Sequence, residues 1–343
     1  MKKIIIYLIS ALLISSFYIS YRVYSIFFKP NTNSEFVLYV YPNHNSDSII
    51  NNLLKDSTII NSRSFRTASS ILKFDFKIKP GRYIIKESIN NKNIIDIISR
   101  GLQTPHNLVL SGNIRTLDRL SSIISTRIME DSLSVLKTLT DSTLIQEMGF
   151  DKYTIRAMFL LNTYEIYWTT SSTEILRRFK REYDNFWTNK RLEQAKALNL
   201  TPIEVITLAS IVSEESNLSF EHPIIAGVYL NRLRIGMPLQ ADPTIKYALN
   251  DPTIKRILFA HLEIDSPYNT YKKRGLPPGP ITIVSPRVID AVLNYTNHQY
   301  LYFCAHPSLN GSHSFAKTLK EHNANARQYH QALNRLNHQN RNR

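Results

Sequence analysis

Met1, Lys2 and Lys3 open this chain, and from Ile4 to Tyr21 there is no charged residue until Arg22. As a helix at 1.5 Å per residue such a run reaches about 27 Å, just enough to cross the hydrocarbon core of a bilayer. The leading lysines would hold its start in the cytoplasm, so everything after about residue 28 should emerge on the other side. A cleaved signal peptide is the competing reading. Its apolar region is normally shorter and ends at a small-residue site, and no clear Ala-x-Ala is present here, so residues 1–28 read as a retained single-pass anchor.

Beyond the anchor the chain has room for one large domain or two ordinary ones. Hydrophobic residues make up 43% of the 343, too many for a disordered chain. Forty-two Lys and Arg against 27 Asp and Glu give a formal charge of +15, which favours a polyanionic partner such as nucleic acid, an anionic membrane surface or an acidic wall polymer. The basic residues are scattered and form no nucleic-acid module, so nucleic acid is not the expected partner. The single cysteine, Cys304, excludes an intramolecular disulfide. It lies in the run Tyr300 to Ala305 and reads as a small buried side chain.

Residues 29–35 read as a short polar linker opening a 29–105 module. A strand is expected over Phe36 to Tyr41, then helical spacing at Ile49, Ile50, Leu53 and Leu54. A turn at Lys79, Pro80 and Gly81 leads into a strand through Ile85. Asn93 is the expected cap of a helix carrying Ile94, Ile95, Ile97 and Ile98 and ending at Gly101. This strand, helix, helix, strand, helix order resembles a LysM-like wall-binding domain; a scaffold that positions the next domain is the alternative. From 106 to 343 the chain reads as mainly helical, with Ser-rich helices over 116–147, an aromatic stretch over 153–168 and one charged helix over 172–198. The expected class is therefore α+β: an anchor, a small α+β module and a larger helical domain.

Thr201, Pro202 and Glu204 make a strong helix start, with a capping box and proline at the first position. The helix is apolar through Val212 and ends at Ser213, Glu214, Glu215 and Ser216. A carboxylate there faces the negative end of the helix dipole and a neighbouring carboxylate, and both favour the protonated form a general acid needs. Two solvated glutamates at a helix end are the plain alternative. A second helix from about Pro223 carries Asn231 and Arg232 and stops at Gly236. Then come Gln240, Asp242, Pro243 and Thr244, later Tyr268 to Tyr271, and the stiff turn Gly275 to Pro280. Aromatic faces beside amides suit sugar rings, and stiff loops can pre-position them.

The stretches Ala209-Ser-Ile-Val-Ser-Glu-Glu-Ser216, Gly227-Val-Tyr-Leu-Asn-Arg-Leu233, Gly236-Met-Pro-Leu-Gln-Ala-Asp-Pro-Thr244, Tyr268-Asn-Thr-Tyr271, Gly275-Leu-Pro-Pro-Gly-Pro280, Tyr300-Leu-Tyr-Phe303 and Glu321-His-Asn323 resemble, in order and spacing, the signatures of the YceG-like (MltG) family of endolytic murein transglycosylases. The resemblance departs at Ser213, where the family often carries glutamate, at Arg156-Ala157, in place of Glu-Gly, and at Leu161, in place of proline. It implies a YceG-like catalytic domain over 106–343 on the extracytoplasmic side of the cell (inner) membrane. The implied reaction is non-hydrolytic cleavage of the MurNAc-β-1,4-GlcNAc bond of nascent glycan strands, leaving 1,6-anhydroMurNAc ends and terminating elongation. Glu215 would be acid and then base, and the substrate contacts would be Asn231, Gln240, Asp242, Thr244, Tyr268, Asn269, Tyr271 and Glu321. It implies no cofactor and no metal, and as partners peptidoglycan glycan strands, the bilayer and peptidoglycan synthases.

Three rivals stay open. A lysozyme-like hydrolase would use Glu215 as acid with Asp242 as its second carboxylate. A catalytically silent, tethered wall-binding scaffold needs neither. A metal hydrolase would draw on His306, His313 and His322, although their spacings of seven and nine put no two on one helical face as a short zinc motif would.

Overall fold

The N-terminal run is helical over Lys2–Val23 (α1) and widens into one π-helical turn, Tyr24–Phe28. In this computed structural model the described residues are 2–55, 58–251, 253–254 and 256–341. Lys2–Phe28 is the one described helix long and apolar enough, by length and composition, to cross a membrane. Its apolar side chains, from Ile4 to Tyr21, are exposed.

The chain divides into two compact units. One takes in the residues up to Leu108 together with Arg127–Met129 and Tyr164–Ser171. Its elements run in the expected order: β1 (Phe36–Val40), α2 (Ser46–Lys55), α3 (Ser62–Ile71), β2 (Gly81–Ile85) and α4 (Asn91–Arg100). β1 and β2 pair antiparallel, Phe36 opposite Ile85 and Val40 opposite Gly81. Side-chain alternation puts Leu38, Val40, Tyr83 and Ile85 into one core with Ile49, Ile50, Leu53, Phe65, Phe74, Ile94 and Ile98. Two readings of this region are corrected. The helix cap is Asn90, whose side chain accepts from the Asn93 amide. Residues 29–35 are not a free linker: Asn31 and Thr32 are buried. The Asn31 amide donates to Asn91 Oδ1 at 2.6 Å and to the Asn61 carbonyl at 3.0 Å, while its oxygen accepts from the Asn61 backbone at 2.7 Å. A buried amide needs such partners, because burying it unpaired is costly.

The second unit comprises Val109–Thr126, Glu130–Thr163 and Ser172–Arg343. The short strands β3 (His106–Val109) and β4 (Thr163–Ile166) fall where the chain passes from one unit to the other, and the helices of the second unit begin with α5 (Leu117–Ser125), α6 (Ser132–Leu139) and α7 (Ser142–Glu147). Thr116, Asp131 and Asp141 cap these three, each accepting from the third residue onward, which divides the Ser-rich stretch. The helix expected over 172–198 is likewise two, α8 (Ser172–Phe186) and α9 (Asn189–Ala197), because Thr188 turns its hydroxyl to the Arg191 amide as a new cap.

α10 (Pro202–Glu215) is the centre of this unit and starts on the Thr201–Glu204 capping box. Every residue from Val205 to Val212 is buried. Its neighbours are α11 (His222–Arg234), α12 (Asp242–Leu249) and α13 (Pro286–Leu293). Burying each large aliphatic side chain there contributes about 1.5–3 kcal/mol relative to exposure. The buried Ser210 hydroxyl donates to the Thr207 carbonyl and accepts from the Ile281 amide at 3.0 Å, which ties the proline-rich turn to the helix. In that turn a Cβ on Gly279 would lie 2.1 Å from the Tyr153 carbonyl oxygen, so only glycine fits. The hairpin of β5 (Tyr302–Ala305) and β6 (His313–Ala316) pairs Tyr302 with Ala316 and Ala305 with His313 and packs on α14 (Leu319–Arg341).

Candidate active site

A cleft of about 370 Å³ opens where α10 ends, with Glu215 in its wall beside Tyr229 and Arg232 of α11. Gln240, Asp242 and Tyr271 line it from the loops around α12, and Tyr302 to Ala305, His313, Leu319 and His322 from the hairpin and α14. Part of the Glu215 side chain stays open to the cleft, while its carboxyl group is deep enough that loss of solvent dominates its chemistry. Burial pushes its pKa up to about 7, and the Asp242 carboxylate pushes the same way. The hydrogen bond from Tyr229, the Lys246 ammonium and the Arg232 guanidinium oppose that rise. The Tyr229 hydroxyl donates to Glu215 Oε1 at 2.5 Å, so one carboxyl oxygen is fixed in direction.

The rise does not come from the expected neighbour. Glu214 turns away to Arg115 in an ion pair and accepts from the Asn113 amide at 2.7 Å. Consecutive residues on a helix point about 100° apart, so a sequence neighbour need not be a spatial one. Beyond Glu215 the chain turns out of the helix at Ser216, which is extended. The Ser216 hydroxyl donates to Glu221 Oε2 at 2.7 Å, and the same buried carboxylate accepts from the His313 amide at 2.7 Å and lies 2.8 Å from His313 Nδ1. Burial alone would raise the Glu221 carboxyl, but these partners outweigh it and leave it below the usual carboxylate range. Glu221 thus pins the end of the Glu215 helix to the β6 strand that lines the cleft.

The expected substrate contacts separate into two groups. Gln240, Asp242 and Tyr271 face the cleft. The Tyr271 hydroxyl donates to Asp242 Oδ1 at 2.5 Å, and Gln240 sits in the left-handed region at φ 49°, a conformation a non-glycine residue holds only when its surroundings enforce it.

The other five do not line the cleft. Asn231 gives its amide to the carbonyls of His298 and Tyr300 at 2.8 and 3.0 Å. Asn269 is fully buried and ties the carbonyls of Leu262 and Ile264, both at 2.8 Å. Thr244 is buried against Thr270 and the Ala241 carbonyl. Tyr268 packs against Tyr247, the two rings tilted by 53° with their centres 4.6 Å apart. Glu321 is exposed and accepts the Lys317 and Thr318 amides at the start of α14.

Tyr229 and Arg232 are the residues that motif reasoning missed, and helical spacing could have found them. They stand three apart on α11 and share a face, whereas Asn231 is one step off it. Arg232 is buried, donates to the Leu301 and Leu239 carbonyls at 2.7 and 2.6 Å and lies under the Tyr302 ring. Cys304 is only half-buried and lines the cleft, against the expectation of a core position. His313 and His322 reach the cleft too, but no three His, Cys, Asp or Glu side chains among the described residues gather as a metal site requires.

Known proteins share this architecture. Residues 38–328 match the model of the YceG-like family. A Bacillus subtilis (strain 168) protein named endolytic murein transglycosylase is 28% identical over 302 residues, 84% of this chain and 83% of its own. A protein of the same name from Streptococcus pneumoniae serotype 2 is 28% identical over 61% of this chain and 38% of its own length. In the crystal structure of a YceG-like protein from Listeria monocytogenes the likeness covers 85% of this chain and 98% of that one, with 26% identity and a TM-score of 0.56. The family match runs through every element that builds the cleft, and the chain belongs to the YceG-like family.

Proposed function

We propose that this protein is an endolytic peptidoglycan lytic transglycosylase in which Glu215 does both proton transfers. The observation that carries the reading is the single carboxyl group held near pKa 7 in the cleft with its orientation fixed by Tyr229. An acid with that pKa is half protonated at neutral pH and can give and retake a proton. The protonated Glu215 passes its proton to the bridging oxygen of the MurNAc-β-1,4-GlcNAc bond as the bond to C1 breaks. The C6 hydroxyl of the same muramoyl residue then closes on C1, and its proton returns to Glu215. No water enters, and the strand ends in 1,6-anhydroMurNAc.

A hydrolase would need a second carboxylate as nucleophile or base. Asp242, the carboxylate that lines the cleft with Glu215, is tied to the Tyr271 hydroxyl and contributes to raising Glu215. The N-terminal helix, the lysines before it and the murein transglycosylase relatives support a chain anchored in the cell membrane with this domain outside the cytoplasm. The antiparallel pair and two intervening helices of the small unit support a LysM-like, glycan-holding role. Cleavage of nascent strands would terminate their elongation, with peptidoglycan synthases as neighbours. The test is mass analysis of muropeptides released from purified sacculi. Wild type and Asp242→Asn should both yield anhydro ends, the variant more slowly, and Glu215→Gln should release almost nothing. Reducing muramic ends from the wild type would sink the mechanism.

A further inference from the structure

A second cavity, of about 450 Å³, lies beside the cleft-building loops and has no part in the proton transfers of Glu215. The elements that give Asp242 and Tyr271 to the cleft give Tyr247 and Tyr268 to this cavity, and Arg115 and Arg156 supply its cations. Arg156 is the more deeply buried of the two. It is 7% exposed. Its Nε donates to the Pro280 carbonyl at 3.0 Å, its Nη2 reaches the Tyr268 hydroxyl at 3.4 Å, and the guanidinium lies 5.3 Å from the centre of the Tyr247 ring. Among the described residues its hydrogen bonds go to a backbone carbonyl and a tyrosine hydroxyl, not to a carboxylate. A guanidinium keeps its charge at any working pH, and burying that charge without an anion is costly. Arg115, which also lines the cavity, is oriented by its ion pair with Glu214. The acidic lining residue, Asp118, is exposed, so water screens it.

We infer that this cavity is a subsite for a carboxylate of the peptide stems borne by the glycan strand, with Arg156 as its principal cation. The inference rests on the transglycosylase reading. A planar carboxylate fits a guanidinium fork in two parallel hydrogen bonds, and the paired tyrosines offer an apolar wall to the peptide beside it. The ligand would provide the anion that the fold withholds from Arg156.

The test measures kcat/KM of the full chain on three substrates: strands bearing stem peptides, the same strands with stem carboxylates converted to amides, and bare glycan strands. Wild type should favour the peptide-bearing strands by at least about tenfold, since even one of the two charge-assisted hydrogen bonds is worth that much. Amidation should remove that preference, and Arg156→Met should remove it as well. A folding defect lowers all three rates together and leaves their ratio unchanged, so the ratio reports the subsite alone. Arg156→Lys keeps the charge without the fork and should retain only part of the ratio. Equal wild-type rates on all three substrates, or an undiminished preference in Arg156→Met, would overturn the subsite and spare the transglycosylase reading. No turnover of any substrate would overturn both.

Discussion

Glu215 is held between opposed influences, and each can be removed singly. Its carboxyl is raised to about 7 by burial first and Asp242 next. The acid form is therefore present below that pH, and kcat/KM should fall as pH rises through about 7, a limb read directly from a pH–rate profile. Tyr229 stabilises the charged form by donating to it, so Tyr229→Phe should move that limb to higher pH. An unmoved limb would mean that another group titrates there. Linkage supplies a check without substrate. The folded state holds the Glu215 proton to higher pH than the unfolded chain, so this group stabilises the fold at low pH and the benefit is lost as pH rises through 7. Glu215→Gln, which keeps the neutral form at every pH, should therefore melt at higher temperature than wild type at pH 8, with the difference vanishing near pH 4. Glu214→Gln should reduce turnover far less than Glu215→Gln, since its carboxylate is spent on Arg115 and Asn113.

At the level of elements, the cleft depends on where α10 stops and how its end is fastened. Glu221 joins Ser216 to His313 through one buried carboxylate. Glu221→Leu would leave both partners unsatisfied and should cost about 3 kcal/mol in denaturant unfolding. The outcome that denies Glu221 this fastening role is a variant with unchanged stability. At the other end of α10, Thr201→Ala removes half the capping box and should cost about 1 kcal/mol. Gly279→Ala tests the turn that faces the helix. A new methyl 2.1 Å from a backbone carbonyl cannot be accommodated by side-chain motion, so the loss should be about 1–3 kcal/mol or more, as for overpacked cores.

For the whole molecule, the N-terminal helix and the small unit are joined by more than a covalent link. Ile26 and Phe27 pack on the core of that unit, and the Asn91 side-chain amide donates to the Ile26 carbonyl at 2.7 Å. Two truncations should therefore behave differently. Removing residues 1–23 should free the protein from membranes and preserve the unit, whereas removing 1–28 should also lower its stability by about 1–3 kcal/mol, the worth of the lost apolar contacts and hydrogen bond. Membrane pelleting of the full chain with thermal melts of both truncated forms checks this, and identical melting of the two would deny Phe27 and Ile26 a place in the core.

Local rules decided much of this protein from sequence alone. An uncharged run of membrane length, a capping box, and alternation and helical spacing are read within a few residues of one another, and so α1, α10 and the β-α-α-β-α order of the small unit were legible. The family motifs marked Glu215, Gln240, Asp242 and Tyr271, which the fold gathers in one cleft. What the sequence could not decide is which way a side chain in a motif points. Asn231 and Arg232 are adjacent and both tie backbone carbonyls, yet only Arg232 also reaches the cleft; Tyr268 and Tyr271 likewise part, one to each cavity. The burial that raises Glu215 and the anchoring of Ser216 by Glu221 and His313 join residues 92 positions apart in the chain. Desolvation and ion pairing depend on distances in space, which exist only once α10, α11 and the β5–β6 hairpin have packed together.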